Sequence, residues 1–279
     1  MEIIYNIFET ILPFEFIQYE FMKNALLAII VVSPLFAILG TMAVNNKMAF
    51  FSDALGHSAF TGIAIGILLG MRNPLISMVA FGIFLSLVIT KVKSINTAST
   101  DTIISVFSSL SMALGIVILS KNGGFAKYSS YLIGDILTVT PKEILLIFIV
   151  LIVTIVIWYK IYNHLLLISI NTSLAASRNI KTALIENIFV ALVAVAVMLT
   201  IKWIGILTIN SMLILPAAGA RNISSNTRQY HIITIITSLV CGILGLIISY
   251  YIDTSASATM VLVSSVFFFI TLILKKISK

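Results

Sequence analysis

An all-α, polytopic membrane protein of about nine transmembrane helices is the fold this chain predicts, and three observations carry the prediction. Of its 279 residues, 60% are hydrophobic and only 10% charged, with a mean hydropathy of +1.15, a balance foreign to soluble globular domains. The apolar residues fall into runs of about 20, the length that crosses a bilayer as a helix. Lys and Arg stand between those runs rather than inside them, as topology signals do. A formal charge of +7 would suit a nucleic-acid binder, but no polar stretch is long enough to form one, so no nucleic-acid partner is expected. The single Cys241 excludes an internal disulfide framework.

Residues 1–20 form an acidic leader with Glu2, Glu9, Glu15 and Glu20, and lack the basic start of a cleavable signal. This extracytoplasmic leader is expected to be partly an interfacial helix carrying Phe14, Phe16 and Tyr19. Residues 21–279 then form one transmembrane domain. The first span covers 22–44, with Pro34 as a kink or break. The second is Met48–Gly70, followed by the turn Arg72-Asn73-Pro74. A third, 74–90, stops at Lys91 and Lys93, and Ser99-Thr100-Asp101 caps a fourth that runs to Ser120.

The segment 121–141 opens with Lys121-Asn-Gly-Gly124 and Lys127 and continues as the half-apolar Tyr131–Leu137. It is too short to cross and predicts a short outer re-entrant element packed against protein. A fifth span, 143–161, leads to a polar break from Asn163 to Thr182. Spans six (184–201) and seven (204–220) are separated by Lys202-Trp203, read as interfacial anchors. The seventh carries Asn210 and Pro216, the proline being expected to break it. Spans eight (231–249) and nine (256–274) are joined by a turn with Asp253. Nine spans put the termini on opposite sides, and an inner C-terminus keeps eleven of the 17 Lys and Arg inside, only Lys23, Arg72, Lys121, Lys127, Lys142 and Lys202 falling outside. The expected topology is N-out, C-in.

The second span carries the chemistry. Asp53 and His57 are four residues apart, one turn from each other on one helix face. Ionisable groups within a span are costly and mark substrate or ion paths, and a carboxylate beside an imidazole suits a transition metal or a proton. The plain alternative is a helix start with Asp53 near its positive end and His57 bonded to a neighbour. Two ligands are half of a usual metal shell, so a homodimer that brings two pairs together would complete it. Behind the pair, Gly62, Gly66 and Gly70 repeat every four residues and read as a helix-packing ridge.

Asp101 and Asn210 are secondary metal-contact candidates, Asp101 reading equally as a first-turn cap residue and Asn210 as an interhelical hydrogen-bonding amide. Asp135 could attract cations at the outer segment or be a plain solvated turn residue, and Glu186 reads as a helix-dipole partner. Within the polar break, Asn171-Thr172-Ser173 followed by Leu174-Ala175-Ala176-Ser177-Arg178 predicts a capped short helix, either an ordinary loop helix or a cytoplasmic docking element. No phosphate-binding loop or HExxH is present, so any ATP hydrolysis belongs to another polypeptide.

The segment Lys47-Met-Ala-Phe-Phe-Ser-Asp-Ala-Leu-Gly-His-Ser-Ala-Phe-Thr-Gly62 resembles the signature of the permease subunits of zinc/manganese/iron ABC importers. Asp53, His57 and Gly62 match that signature; Ser52 and Gly56 stand where Gly and Ser are usual, and Thr61 replaces the usual proline. Asp101-Thr, Tyr131-Leu-Ile-Gly-Asp-Ile-Leu137, the stretch Ile204 to Arg221 with its Leu-Pro-Ala-Ala, and Ser249-Tyr-Tyr-Ile-Asp253 fit as well. The resemblance implies a homodimeric permease of the bacterial cell membrane, working with cytoplasmic ATP-binding subunits and an extracytoplasmic metal-binding protein. It implies that the ion (Mn, Zn or Fe) is transported cargo, with no cofactor held permanently, and that 171–182 is the coupling helix. The rival expectation is a stand-alone, proton-coupled secondary transporter; an intramembrane enzyme is weakened by the lack of further converging polar groups.

Overall fold

The computed structural model describes residues 15–95, 98–121 and 128–277. Most of the acidic leader, including Phe14, lies outside the described residues, as do Lys127 and Lys279. The described chain is helical throughout, and nine of its helices are long and apolar enough to cross a membrane. In order they are α1 (Glu20–Asn45), α2 (Phe51–Leu68), α3 (Leu75–Ile95), α4 (Thr100–Lys121), α5 (Pro141–Ile170), α7 (Thr182–Ile204), α8 (Ile206–Ile223), α9 (Thr227–Ile252) and α10 (Ala256–Ile277). The short α6 (Thr172–Ser177) links α5 to α7, and single 3-10 turns at Ser129–Leu132 and Ile136–Thr138 fill the irregular segment. Helices are the natural outcome, because an apolar chain without water must satisfy its backbone groups internally.

The polar residues between the runs do local work at helix ends. Thr140 and Glu143 form a reciprocal capping box at the start of α5, with Pro141 just inside it, where its missing N–H costs nothing. Asn226 accepts from the Gln229 backbone N–H at 2.8 Å to cap α9. Asp135 accepts from Leu137 N–H at 3.0 Å, so it serves as the cap of a turn. Glu186 faces Lys93 across 3.7 Å, an ion pair joining α3 to α7 rather than a pure dipole partner.

Helices α1, α2 and α7 form the interior, while α4, α5 and α10 expose most of their surface. Close backbone approach decides the seams. A Cβ on Gly40 of α1 would collide with the Leu213 carbonyl of α8, and one on Gly62 of α2 would lie 2.7 Å from Met78 Cα of α3. Gly66 continues that seam against Ser77 and Pro74. Gly70 does not belong to the ridge: it lies beyond the end of α2 at φ +69°, with nothing near its Cβ position. Its part is the left-handed turn that ends the helix.

Three other expectations are corrected. Neither proline breaks its helix: Pro34 lies inside a continuous α1 and Pro216 inside a continuous α8. Proline removes one hydrogen bond, and a packed neighbourhood tolerates that loss within a span. The break comes instead at Gly205, φ +83°, between α7 and α8. Trp203 is no interfacial anchor, since it is buried in the core; Lys202 remains outside and binds Glu143 at 2.9 Å. Helix α5 also runs nine residues past its expected end, carrying Asn163 and His164 with it.

The described part of the irregular segment, 128–140, packs against that break. Gly134, at φ +69°, lies against Ile204 and Gly205, so tightly that neither glycine has room for a side chain. Gly134→Ala is therefore expected to cost clearly more than Gly70→Ala in denaturant unfolding of the purified protein. Both incur the left-handed penalty of about 1–2 kcal/mol, but only Gly134 adds a backbone collision. Equal costs would show that the 128–140 segment is not seated on Gly205.

Candidate functional site

The first turns of α2 bring Asp53 and His57 to one face, with His57 Nε2 at 3.5 Å from Asp53 Oδ2. That is ion-pair reach but longer than a good hydrogen bond. The two side chains are 25% (His57) and 37% (Asp53) exposed, so they are accessible without being fully on the surface. His57 Nδ1 is buried and has no hydrogen-bond partner among the described residues.

Both residues line a cleft of about 630 Å³ between α2 and α4. Asp101 lines it too, from the first turn of α4, together with Phe50, Thr102, Ser105, Ser108, Ser109 and Met112. The cap of α4 is Ser99, whose Oγ accepts from Thr102 N–H at 3.2 Å, leaving the Asp101 carboxylate to the cleft. The hydroxyls recur along α4 at helical spacing from Asp101 to Met112, a polar stripe that a search for ionisable residues passes over. Among the described residues no three His, Cys, Asp or Glu side chains converge closely enough to close around a metal.

Asn210 is not a wall of this cleft. Its Oδ1, the atom that would ligate an ion, accepts from Ser52 Oγ at 2.8 Å and ties the start of α2 to α8. The same contact explains the neighbouring glycine: a side chain at Gly56 would meet Ile206 at 2.7 Å. Thr61 Oγ1 donates to the Ser111 carbonyl of α4. One turn on, a Cβ on Gly115 would lie 2.6 Å from Thr61 N. The two walls are thus pinned beyond His57 and part towards Asp53 and Asp101.

The short α6 begins at Asn171, whose Oδ1 accepts from Leu174 N–H at 3.0 Å. Ala175 is fully buried and roots it, while Thr172, Ser173, Ser177 and Arg178 are exposed and Leu174 is 43% exposed.

Residues 18–275 match the family model described as the ABC 3 transport family. The high-affinity zinc uptake system membrane protein ZnuB of Haemophilus influenzae is 32% identical over 256 residues, covering 91% of this chain and 98% of that protein. The manganese import system permease protein ScaB of Streptococcus parasanguinis is 27% identical, covering 91% and 90%. Among solved structures, PsaBC from Streptococcus pneumoniae in complex with Fab superposes with a TM-score of 0.78 at 24% identity, over 97% of this chain and 95% of that one.

The pinned seam makes its own prediction. Thr61→Val keeps the shape and removes the donor, so it should cost about 1 kcal/mol. Gly115→Ala overpacks the seam and should cost about 1–3 kcal/mol. Both are read in detergent unfolding, and a neutral Gly115→Ala would mean that α2 and α4 do not touch there.

Proposed function

The chain belongs to the ABC 3 transport family, and on that footing we propose that it carries divalent transition-metal ions, manganese or zinc with iron as a third candidate, into the cell. It is a multi-pass protein of the bacterial cell membrane and a permease subunit, ATP hydrolysis being the work of a separate chain. The observation that carries the cargo assignment is the cleft. Within a membrane-spanning bundle it offers one imidazole and two carboxylates, Asp53, His57 and Asp101, beside a row of hydroxyls. Nitrogen and oxygen donors suit all three metals, so the cleft alone does not choose among them.

The set is too sparse for a closed site, and that suits transit, where an ion must bind weakly enough to leave. A lone copy leaves Ser105, Ser109 and Asp101 exposed on α4. Polar groups facing lipid are costly, which favours a second copy against this face and passage of the ion between the two. With the N-terminus outside and the C-terminus inside, α6 lies on the cytoplasmic side. There its exposed Leu174 and Arg178 dock an ATP-binding subunit, while an extracytoplasmic protein delivers the metal from the opposite side. Ser52–Asn210 and Thr61–Ser111 hold α2 so that closure at α6 moves the cleft walls as units.

Reconstitution with the neighbouring ATPase and binding protein tests this, with uptake of manganese, zinc and iron compared. Changing an outer-shell partner of a metal ligand typically costs 10–100-fold. Asp53→Ala and His57→Ala should each cost at least about that much while the protein stays folded and assembled. Normal uptake by both variants would end the assignment. Leu174→Asp should instead release the ATPase on co-purification and leave the cleft intact; full retention would remove α6 from the docking surface.

A further inference from the structure

On the same side of the bundle as α6, helix α1 packs against both α5 and α9, and its Ile38 forms the floor of a groove between them. The groove has a volume of about 710 Å³. Ile38, Trp158 and Ile232 supply apolar lining, and Tyr162, Asn163, Arg228 and His231 polar lining, Asn163 and Arg228 being the lining residues nearest the C-terminal end of α5 and the N-terminal end of α9. His231 is held there: its Nε2 lies 3.2 Å from the Tyr162 hydroxyl, and the Trp158 ring meets it edge-on at 6.2 Å. Arg228 is exposed in the first turn of α9, with no carboxylate among the described residues pairing with it. The other titratable group on the lining is Tyr159, and no Asp or Glu contributes to it.

The depth of the groove is readable from its flanks. Ile149, Ile152, Val153 and Val156 of α5 and Ile236, Val240 and Leu244 of α9 are exposed, the pattern of surfaces that face acyl chains. On α5 this apolar column ends at Trp158 and Tyr159 and gives way to Lys160, Asn163 and His164. Amphipathic rings followed by polar residues mark the headgroup level. The polar end of the groove therefore lies where lipid phosphates lie, and its apolar part points into the bilayer.

We infer that this groove is a binding site for one anionic phospholipid, its phosphodiester on Arg228 with Asn163 and Tyr162 as hydrogen-bonding neighbours, and one acyl chain over Ile38 and Ile232. A guanidinium matches a phosphate in charge and in its fork of donors. A basic pocket between transmembrane helices is the form that recognition of lipid headgroups takes. The site is independent of the metal cleft, and neither assignment relies on the other.

The test is native mass spectrometry of the protein extracted in mild detergent from vesicles of phosphatidylcholine, with and without phosphatidylglycerol. Wild type should retain phosphatidylglycerol in preference to phosphatidylcholine. Arg228→Ala should retain about fivefold less, the share one juxtamembrane cation contributes, whereas Lys160→Ala, exposed but outside the groove, should match wild type. Ile38→Trp, which fills the floor, should lower retention through the acyl chain, and unfolding curves show whether each variant remains folded. Equal retention by wild type and Arg228→Ala overturns the inference, as does equal retention of the two lipids. Displacement of the lipid by inorganic phosphate would also overturn it, by reducing the site to a simple anion site.

Discussion

The seam between α2 and α4 is the constraint on which the candidate site depends. Thr61 reaches the Ser111 carbonyl, and Gly115 lets the α4 backbone lie directly on Thr61. With the helices joined there, their other ends are free to part, and the cleft at Asp53, His57 and Asp101 is the space that results. The Thr61 bond adds an interhelical hydrogen bond to the close backbone packing at Gly115. The threonine stands where a proline is usual in the resembling signature, and the helix passes through it unbroken.

Behind this seam the remainder of the bundle acts as a support. Gly62 and Gly66 seat α3, Gly56 admits Ile206, and Ser52 holds Asn210, so α2 is gripped on three sides by α3, α4 and α8. Only the face bearing Asp53 and His57 is left open. That asymmetry separates a packed frame from an accessible carboxylate–imidazole pair, the arrangement on which the proposed transit of an ion relies.

Much of this was legible without coordinates. Run lengths, basic punctuation and helix caps located all nine spans, and the i, i+4 spacing of Asp53 and His57 put them on one face. What escaped depended on neighbours distant in sequence. Pro216 read as a break, and Pro34 as a kink or break, because proline is judged by its own chain, whereas packed helices absorb the lost bond and both helices run on. Trp203 read as an anchor beside Lys202, yet it faces the core while Lys202 turns to Glu143. Asn210 read either as a candidate ligand or as an interhelical amide, and its partner Ser52, 158 positions away, was not identifiable from the sequence. The hydroxyl stripe of α4 was visible in principle, but serine in a span is a common helix-packing residue and its direction was unknown.

The sequence by itself determined the class of protein, the number of spans and the placement of Asp53 and His57 on one helix face, because hydrophobic run length and helical periodicity are local properties. Tertiary structure alone decided which of those residues share a space. It placed Asp101 on the cleft that Asp53 and His57 line, put Asn210 in the interhelical hydrogen bond with Ser52, removed Gly70 from the ridge its spacing suggested, and set a groove between α5 and α9. The physical reason is that helix–helix contacts in a membrane rest on close backbone approach and single hydrogen bonds. Such contacts depend on which faces meet, and no periodicity within one helix encodes its partner.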